Sequence, residues 1–204
     1  MASRFKRTYF IFTSLLLLLL NFVPGGQAQA MADDFNGESL PGMDAFISQV
    51  QNGQAGELRG IYIADLLAAP IVQQPRGMEE FVSPWHNIVT QFGLASSHGS
   101  IGLLAHNYLA GKSFSGLQPG QVIHLVYGDG RVATFIVSEI LHYQALEPDS
   151  TSSSFIDLDT RESQSYASLF SRIYNRPGQV IFQTCISTAD DLAWGRLFVI
   201  AEPA

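Results

Sequence analysis

Two short apolar runs decide the fold of this chain: Val180-Ile-Phe-Gln-Thr-Cys185 and, eleven residues after the cysteine, Arg196-Leu-Phe-Val-Ile-Ala201. Their length and their β-branched and aromatic residues predict two strands. The first run ends on the only cysteine of the 204 residues. A nearby cation lowers the pKa of a thiol, and a guanidinium can stabilise the oxyanion that forms when a thiolate attacks a carbonyl. The pair therefore indicates cysteine chemistry that still needs a proton carrier.

The first thirty residues have the pattern of a signal peptide. Three basic residues precede a nearly unbroken apolar run over 9–23, and the small-x-small sequence Ala28-Gln-Ala30 follows. The apolar run is short for a membrane span, which needs about 20 apolar residues. We therefore predict a cleaved signal peptide over 1–30, with an uncleaved N-terminal anchor as the alternative. In both cases the remaining chain is expected to be extracytoplasmic, either secreted or at the cell surface.

Charge and cysteine content exclude several classes of function. Without the leader cations Arg4, Lys6 and Arg7, the 11 basic residues become 8 against 18 acidic residues, a net charge of −10. This balance argues against nucleic-acid binding, which needs a basic face, and against electrostatic attachment to anionic lipid. A single cysteine excludes an intramolecular disulfide and leaves either an intermolecular link or a reactive thiol.

The chain divides into a short N-terminal part and one domain. We predict a tail and a short helix over 31–55, because Met43, Phe46 and Val50 are spaced for one helix face, and a single domain over 56–204. The clearest hairpin is predicted where Gly128-Asp-Gly130 separates two apolar runs. A second helix is predicted within 163–174. Ala68-Ala-Pro70 is expected to interrupt a strand, and 95–100 and 111–120 are expected to be loops. Many short strands with one or two short helices predict a mainly β fold, a closed or nearly closed barrel.

Among the five histidines, His106 has the position of a catalytic residue. It ends the apolar run Ile101-Gly-Leu-Leu-Ala105, where a strand meets a glycine-containing loop. Together with Cys185 and Arg196, it is the third residue suited to cysteine chemistry that lies at a predicted strand end. The histidine spacings give no metal motif, so no metal ligand and no cofactor are predicted. One acidic cluster could bind calcium, although such clusters are more often solvated loops: Glu147, Asp149, Asp157 and Asp159.

These motifs resemble those of the sortase family in kind and in order. A strand-end histidine lies in Leu104-Ala-His-Asn107, the cysteine ends Ile181-Phe-Gln-Thr-Cys185, and an arginine opens the run that starts at Arg196. Ile181 and Phe182 replace the threonine and leucine usual in that family, and Gln183 is polar at its variable position. The resemblance covers roughly 56–201 and does not assign a sortase class.

The resemblance implies a sortase-like closed β-barrel and a Cys-His-Arg transpeptidase. Cys185 would form a thioester with a peptide sorting signal, His106 would transfer protons, and Arg196 would hold the oxyanion. Thr184 and Asn107 are expected to line the oxyanion or substrate site. The implied partners are a peptide or protein that carries a sorting signal and an amine acceptor. Two alternatives stay open: a catalytically silent barrel that binds extracellular peptide or polysaccharide, and a cysteine protease that uses the same triad.

Overall fold

The computed structural model describes residues 40–204. The predicted signal peptide over 1–30 and the first part of the predicted tail, 31–39, lie outside the described residues. Among residues 40–204, no helix is long and apolar enough to cross a membrane.

Ten strands and four short helices make up the described chain. The strands are β1 Leu58–Ile63, β2 Leu67–Gln73, β3 Val89–Phe92, β4 Ile101–Leu104, β5 Val122–Tyr127, β6 Val132–Ala145, β7 Phe155–Asp157, β8 Ser163–Gln164, β9 Val180–Ile186 and β10 Gly195–Pro203. The helices are α1 Met43–Val50, α2 Gly93–Ser97, α3 Gly111–Phe114 and α4 Tyr166–Tyr174.

Eight of these strands close into a barrel. The sheet order is β10-β9-β4-β3-β2-β1-β5-β6-β7-β8, and an additional pairing of β10 with β6 joins the two ends of the eight-stranded part. The pairs β2–β3 and β4–β9 are parallel, and the other pairs are antiparallel. Closure leaves β7 and β8 as a short extension next to β6. The predicted mainly β fold with a closed barrel is confirmed.

Side chains along β9 and β10 alternate between the inside and the outside of the barrel, as successive side chains of a strand do. Val180 and Phe182 of β9 face the central core, together with residues of β10 such as Val199. Ile181 of β9 and Phe198 of β10 face outwards into a second apolar cluster beneath α4. Each fully buried side chain of this size stabilises the fold by about 1.5–3 kcal/mol. The outer face of β9 and β10 is therefore covered rather than solvated.

Helix α1 forms where the apolar spacing predicts it and packs on the barrel. Phe46 and Val50 are buried against Ala68 and Val126. A Cβ atom at Gly60 would lie 2.8 Å from the Phe46 ring, so glycine at this position lets the helix approach β1 closely. The predicted domain boundary at 55/56 stays a prediction, and α1 contacts the barrel across it.

Three local expectations were wrong in extent. Ala68-Ala-Pro70 lies inside β2 and does not interrupt it, because the pairing with β3 starts only at Ile71, after the proline that lacks an N–H. The second apolar run of the predicted hairpin, 132–137, is only the first part of β6, which continues to Ala145 because β10 pairs along it. Two of the expected loops contain the one-turn helices α2 and α3, so the described chain has four helices instead of one or two.

Candidate active site

Cys185 and Arg196 are direct neighbours across the β9–β10 ladder. They are paired in the antiparallel register, and the next pair on the same face is Gln183 with Phe198. Directly opposed residues of antiparallel strands project to the same face, with Cβ atoms about 4.5–5.5 Å apart. Phe198 belongs to the cluster on the outer face, so Cys185 and Arg196 lie on that face too. Strand register alone thus places the Cys185 and Arg196 side chains next to each other on one face of the sheet.

His106 reaches the same place from β4, which runs parallel to β9. Leu104 pairs with Gln183, and the Ala105 N–H donates to the Gln183 carbonyl oxygen at 3.3 Å. His106 follows directly, at the level of Cys185. Its ring stacks on the exposed Tyr108 ring, with centroids 5.3 Å apart and an interplanar angle of 17°. Neither imidazole nitrogen has a hydrogen-bond partner among the described residues, so both are available for proton transfer.

A tight turn after β4 holds the His106 backbone. The His106 carbonyl oxygen accepts from the N–H groups of Leu109 and Gly111, at 2.9 and 3.1 Å. A Cβ atom at Gly111 would lie 2.6 Å from that carbonyl oxygen and 2.7 Å from the carbonyl oxygen of Ala105, and it would overlap the Thr184 hydroxyl. Only glycine fits between β4 and β9 at this position.

The Arg196 side chain is fixed by backbone carbonyl groups. Nη1 donates to the oxygens of Ala193 and Gly195 at 2.7 and 2.9 Å, and Nη2 donates to the oxygen of Pro148 at 3.1 Å. Nε–H and the second N–H of Nη2 have no partner within residues 40–204. The guanidinium is therefore immobilised and still has donors for a ligand.

The two residues predicted to line an oxyanion or substrate site occupy different environments. Thr184 is buried, borders the groove described next, and donates its hydroxyl proton to the Ala105 carbonyl oxygen at 2.8 Å. The Asn107 side chain donates to the Leu192 carbonyl oxygen at 2.9 Å. Asn107 is not among the residues that line the groove and instead fastens the turn after β4 to the β9–β10 loop.

Cys185, His106 and Arg196 line one groove of about 490 Å³ between the outer face of the barrel and α4. The α4 wall is apolar and aromatic, with Phe170 and Tyr174 packed on Phe92 of the barrel. Glu79 and Glu80, from the β2–β3 connection, also line the groove. The groove thus combines a thiol, an imidazole and a guanidinium with a largely apolar lining.

One polar side chain lies within the apolar part of the groove. Gln183 is partly buried, and its Oε1 accepts a short hydrogen bond from the Tyr174 hydroxyl. Burial raises the pKa of Tyr174 far above its ordinary value, and the nearby Tyr166 adds to the effect. The hydroxyl therefore remains protonated and able to donate at neutral pH.

An ion pair anchors α4, which forms the outer wall of the groove. Arg172 Nη1 lies 3.3 Å from the buried Asp157 carboxylate. Burial acts to raise the pKa of Asp157. Hydrogen bonds from the backbone N–H groups of Thr160 and Asp159, together with the smaller effect of the Arg172 charge, act against burial, and the pKa lies below its usual range. The Asp157 carboxylate is thus ionised and committed to structural contacts.

The predicted acidic cluster gains no support as a calcium site. Asp157 is engaged as described, and within residues 40–204 no group of three or more His, Cys, Asp or Glu side chains is placed to hold a metal ion.

The three residues predicted to act in cysteine chemistry all line this groove, but most of its other lining residues were not predicted. The missed residues are the aromatic positions of α4, the Glu79–Glu80 pair and Gln183. Gln183 carried a signal, because it is the polar residue inside an otherwise apolar strand pattern. Nothing in the pattern of α4 indicated which part of the barrel the helix covers.

Several solved structures that are similar to this chain are sortases. Sortase C-1 of Actinomyces oris is 13% identical, with a TM-score of 0.49 over 89% of this chain and 98% of that chain. Sortase C1 of Streptococcus suis is 12% identical, with a TM-score of 0.49 over 87% and 93%. Sortase E1 of Streptomyces coelicolor, solved with a tripeptide in its active site, is 16% identical, with a TM-score of 0.47 over 75% and 91%. No protein-family model matches the chain, and no curated protein matches it.

Proposed function

We propose that this protein is an extracytoplasmic cysteine transpeptidase of the sortase type. The observation that carries the proposal is the cross-strand pair Cys185–Arg196 on the outer face of the barrel, with His106 alongside at the end of the parallel strand β4. All three side chains line one groove that is open to a ligand. The extracytoplasmic location rests on the predicted leader sequence over 1–30.

The first half-reaction is acylation of the enzyme. The Cys185 thiolate attacks a carbonyl carbon of the peptide, an S–C bond forms, and the carbonyl π electrons become an oxyanion. The free N–H groups of Arg196 are donors for this oxyanion. Because three backbone carbonyl groups already hold the guanidinium in place, these donors need little reorganisation to stabilise the developing charge. Protonated His106 gives its proton to the departing amine as the C–N bond breaks. The product is a thioester at Cys185 and a neutral imidazole.

The second half-reaction is transfer of the acyl group. An incoming amine attacks the thioester carbonyl, and His106 accepts the proton that this amine loses. The S–C bond breaks and Cys185 leaves as a thiolate, which restores the starting pair. Water in place of the amine would give hydrolysis with the same three residues.

The proposal is tested by trapping the acyl-enzyme. The full chain is incubated with a library of randomised hexapeptides, and its intact mass is measured with and without glycinamide as the amine. A mass increase on wild type that is absent from Cys185→Ala, together with glycinamide-ligated product, is the expected result. Peptide processing by Cys185→Ala would show the assignment to be wrong.

Two other results would identify the alternatives. Release of free acid only, in the presence of the amine, would identify a protease. The absence of any acyl-enzyme, combined with slow alkylation of the thiol at neutral pH, would identify a binding barrel, because an activated thiolate reacts readily.

A further inference from the structure

We propose that Gln183 forms a polar subsite within the groove and selects a ligand residue that carries a hydrogen-bond acceptor, a side-chain carbonyl or hydroxyl oxygen. This inference rests on the proposed function only in taking the ligand to be a peptide.

The strand register places Gln183 beside the proposed reacting groups, two residues before Cys185 on the same face of β9. Leu104, Gln183 and Phe198 lie side by side across β4, β9 and β10. His106, Cys185 and Arg196 form the next row. Two residues along a strand span about 6.6 Å. A ligand that lies extended along β9 would therefore present to Gln183 a side chain about two residues from its reacting carbonyl.

The Tyr174 hydroxyl orients the Gln183 amide. Because Oε1 accepts from Tyr174, the Nε2 group is left to donate. Nε2 has no hydrogen-bond partner among the described residues. Since it is also absent from the buried polar atoms without a partner in that part of the chain, it is accessible to solvent. The amide nitrogen is thus reachable from the groove and held in one orientation.

The surroundings of this donor make it selective. Leu104 and Phe198 flank Gln183 in the sheet. Leu169, Phe170 and Ile173 of α4 line the same groove. An aliphatic ligand side chain placed here would cover the amide and leave its N–H groups unpaired, whereas an acceptor oxygen would pair with them. One such hydrogen bond corresponds to a discrimination of up to about tenfold.

The experiment measures binding, so that its result does not depend on catalysis. Full-length protein with Cys185→Ala is immobilised and used to select from the randomised hexapeptide library, and the bound peptides are sequenced. Matched proteins carry Gln183→Leu or Gln183→Glu in addition. Circular dichroism and thermal unfolding establish that each variant is folded.

With Gln183, we expect one peptide position to favour Asn, Gln, Ser and Thr over Leu and Met by up to about tenfold. With Gln183→Leu, this position should favour Leu and Met instead, while preferences at the other positions stay unchanged. With Gln183→Glu, the same position should favour Lys and Arg, because a carboxylate presents only acceptors. An identical preference in the Gln183 and Gln183→Leu proteins would overturn the subsite, as would the selection of no peptide by the folded protein.

Tyr174→Phe in the same background tests the orienting hydrogen bond. It removes the hydroxyl and keeps the buried ring, so the preference for acceptor residues should weaken without reversing. An unchanged preference would overturn the role of Tyr174 in the subsite. Failure of the subsite and failure of the proposed function remain distinguishable, since acyl-enzyme formation is measured separately on the wild type.

Discussion

The Thr184 hydroxyl donates a 2.8 Å hydrogen bond to the carbonyl oxygen of Ala105, a residue 79 positions earlier in the chain. Both residues are buried, and each directly precedes a residue of the proposed triad. The bond therefore helps to fix the register between the two strand ends that carry His106 and Cys185.

Thr184→Val should destabilise the protein by about 1–3 kcal/mol, because the Ala105 carbonyl oxygen would lose a buried partner at nearly unchanged side-chain volume. Urea unfolding gives this difference. Thr184→Ser retains the hydroxyl and serves as the control. If the Thr184→Val protein were as stable as the wild type, the bond would have no net role in fixing β4 against β9.

Gly111→Ala should both destabilise the fold and slow acylation of Cys185. The added methyl would lie 2.6 Å from the His106 carbonyl oxygen, so the turn that carries His106 must shift. Overpacking of this kind costs about 1–3 kcal/mol. Gly116→Ala is the matched control, since its nearest neighbours would be at an ordinary 3.4 Å. Equal effects of the two substitutions on the acylation rate would contradict this account.

Tyr108→Ala should slow acyl-enzyme formation while the stability of the fold stays nearly unchanged, because the side chain is 62% exposed. Loss of an aromatic stack of about 0.5–1.5 kcal/mol corresponds to a decrease of about two- to tenfold if the stack holds His106 in its reactive orientation. Tyr108→Phe keeps the stack and should retain the rate. If Tyr108→Phe formed the acyl-enzyme as slowly as Tyr108→Ala, the Tyr108 hydroxyl, and not the stack, would be the important group.

Arg196→Lys should lower the acylation rate by about 10²–10³-fold, the effect of losing one oxyanion donor. A lysine has no planar fork with which to contact three carbonyl groups and still present an N–H to the ligand. Arg176→Lys is the control, because Arg176 pairs with Glu139 at 2.8 Å and does not line the groove. A lysine variant that acylates at the wild-type rate would remove Arg196 from the mechanism.

The Asp157–Arg172 contact should make stability depend on acid pH. The pKa of Asp157 is lower in the folded state than the ordinary value of about 3.9. Its contribution is therefore fully present above about pH 4 to 5 and is lost as the pH falls through the folded pKa. Urea midpoints measured from pH 7 to pH 2 should fall at the acid end for wild type. Asp157→Asn should be less stable at pH 7 and show a shallower decline, and parallel curves for the two proteins would contradict the assignment.

Local sequence pattern was sufficient for the parts of the fold that depend on neighbouring residues. The apolar runs that become β9 and β10 and the turn at Gly128-Asp-Gly130 are visible in the sequence, and both strands and the hairpin form as expected. The three residues predicted from type and position to act in cysteine chemistry all line one groove. Their residue types restrict the chemistry, whichever way the chain folds.

What could not be predicted depends on contacts between distant segments. The parallel register of β4 with β9 brings His106 to Cys185, and no periodicity within either strand encodes it. The extra length of β6 comes from its pairing with β10. The orientation of Gln183 depends on Tyr174 of α4, which becomes its partner only when the helix packs on the barrel.

The closure of the barrel has a consequence for how the protein folds. Strand β10 follows the other seven barrel strands in chain order, pairs with both β6 and β9, and carries Arg196. During synthesis, the barrel cannot close before residues 195–203 are available. Pairing between β6 and β10, which are far apart in the chain, is slow because loop-closure entropy is lost before the contacts form. The emerging chain therefore stays open until β10 pairs with β6 and β9. The step that closes the barrel is also the step that places Arg196 opposite Cys185.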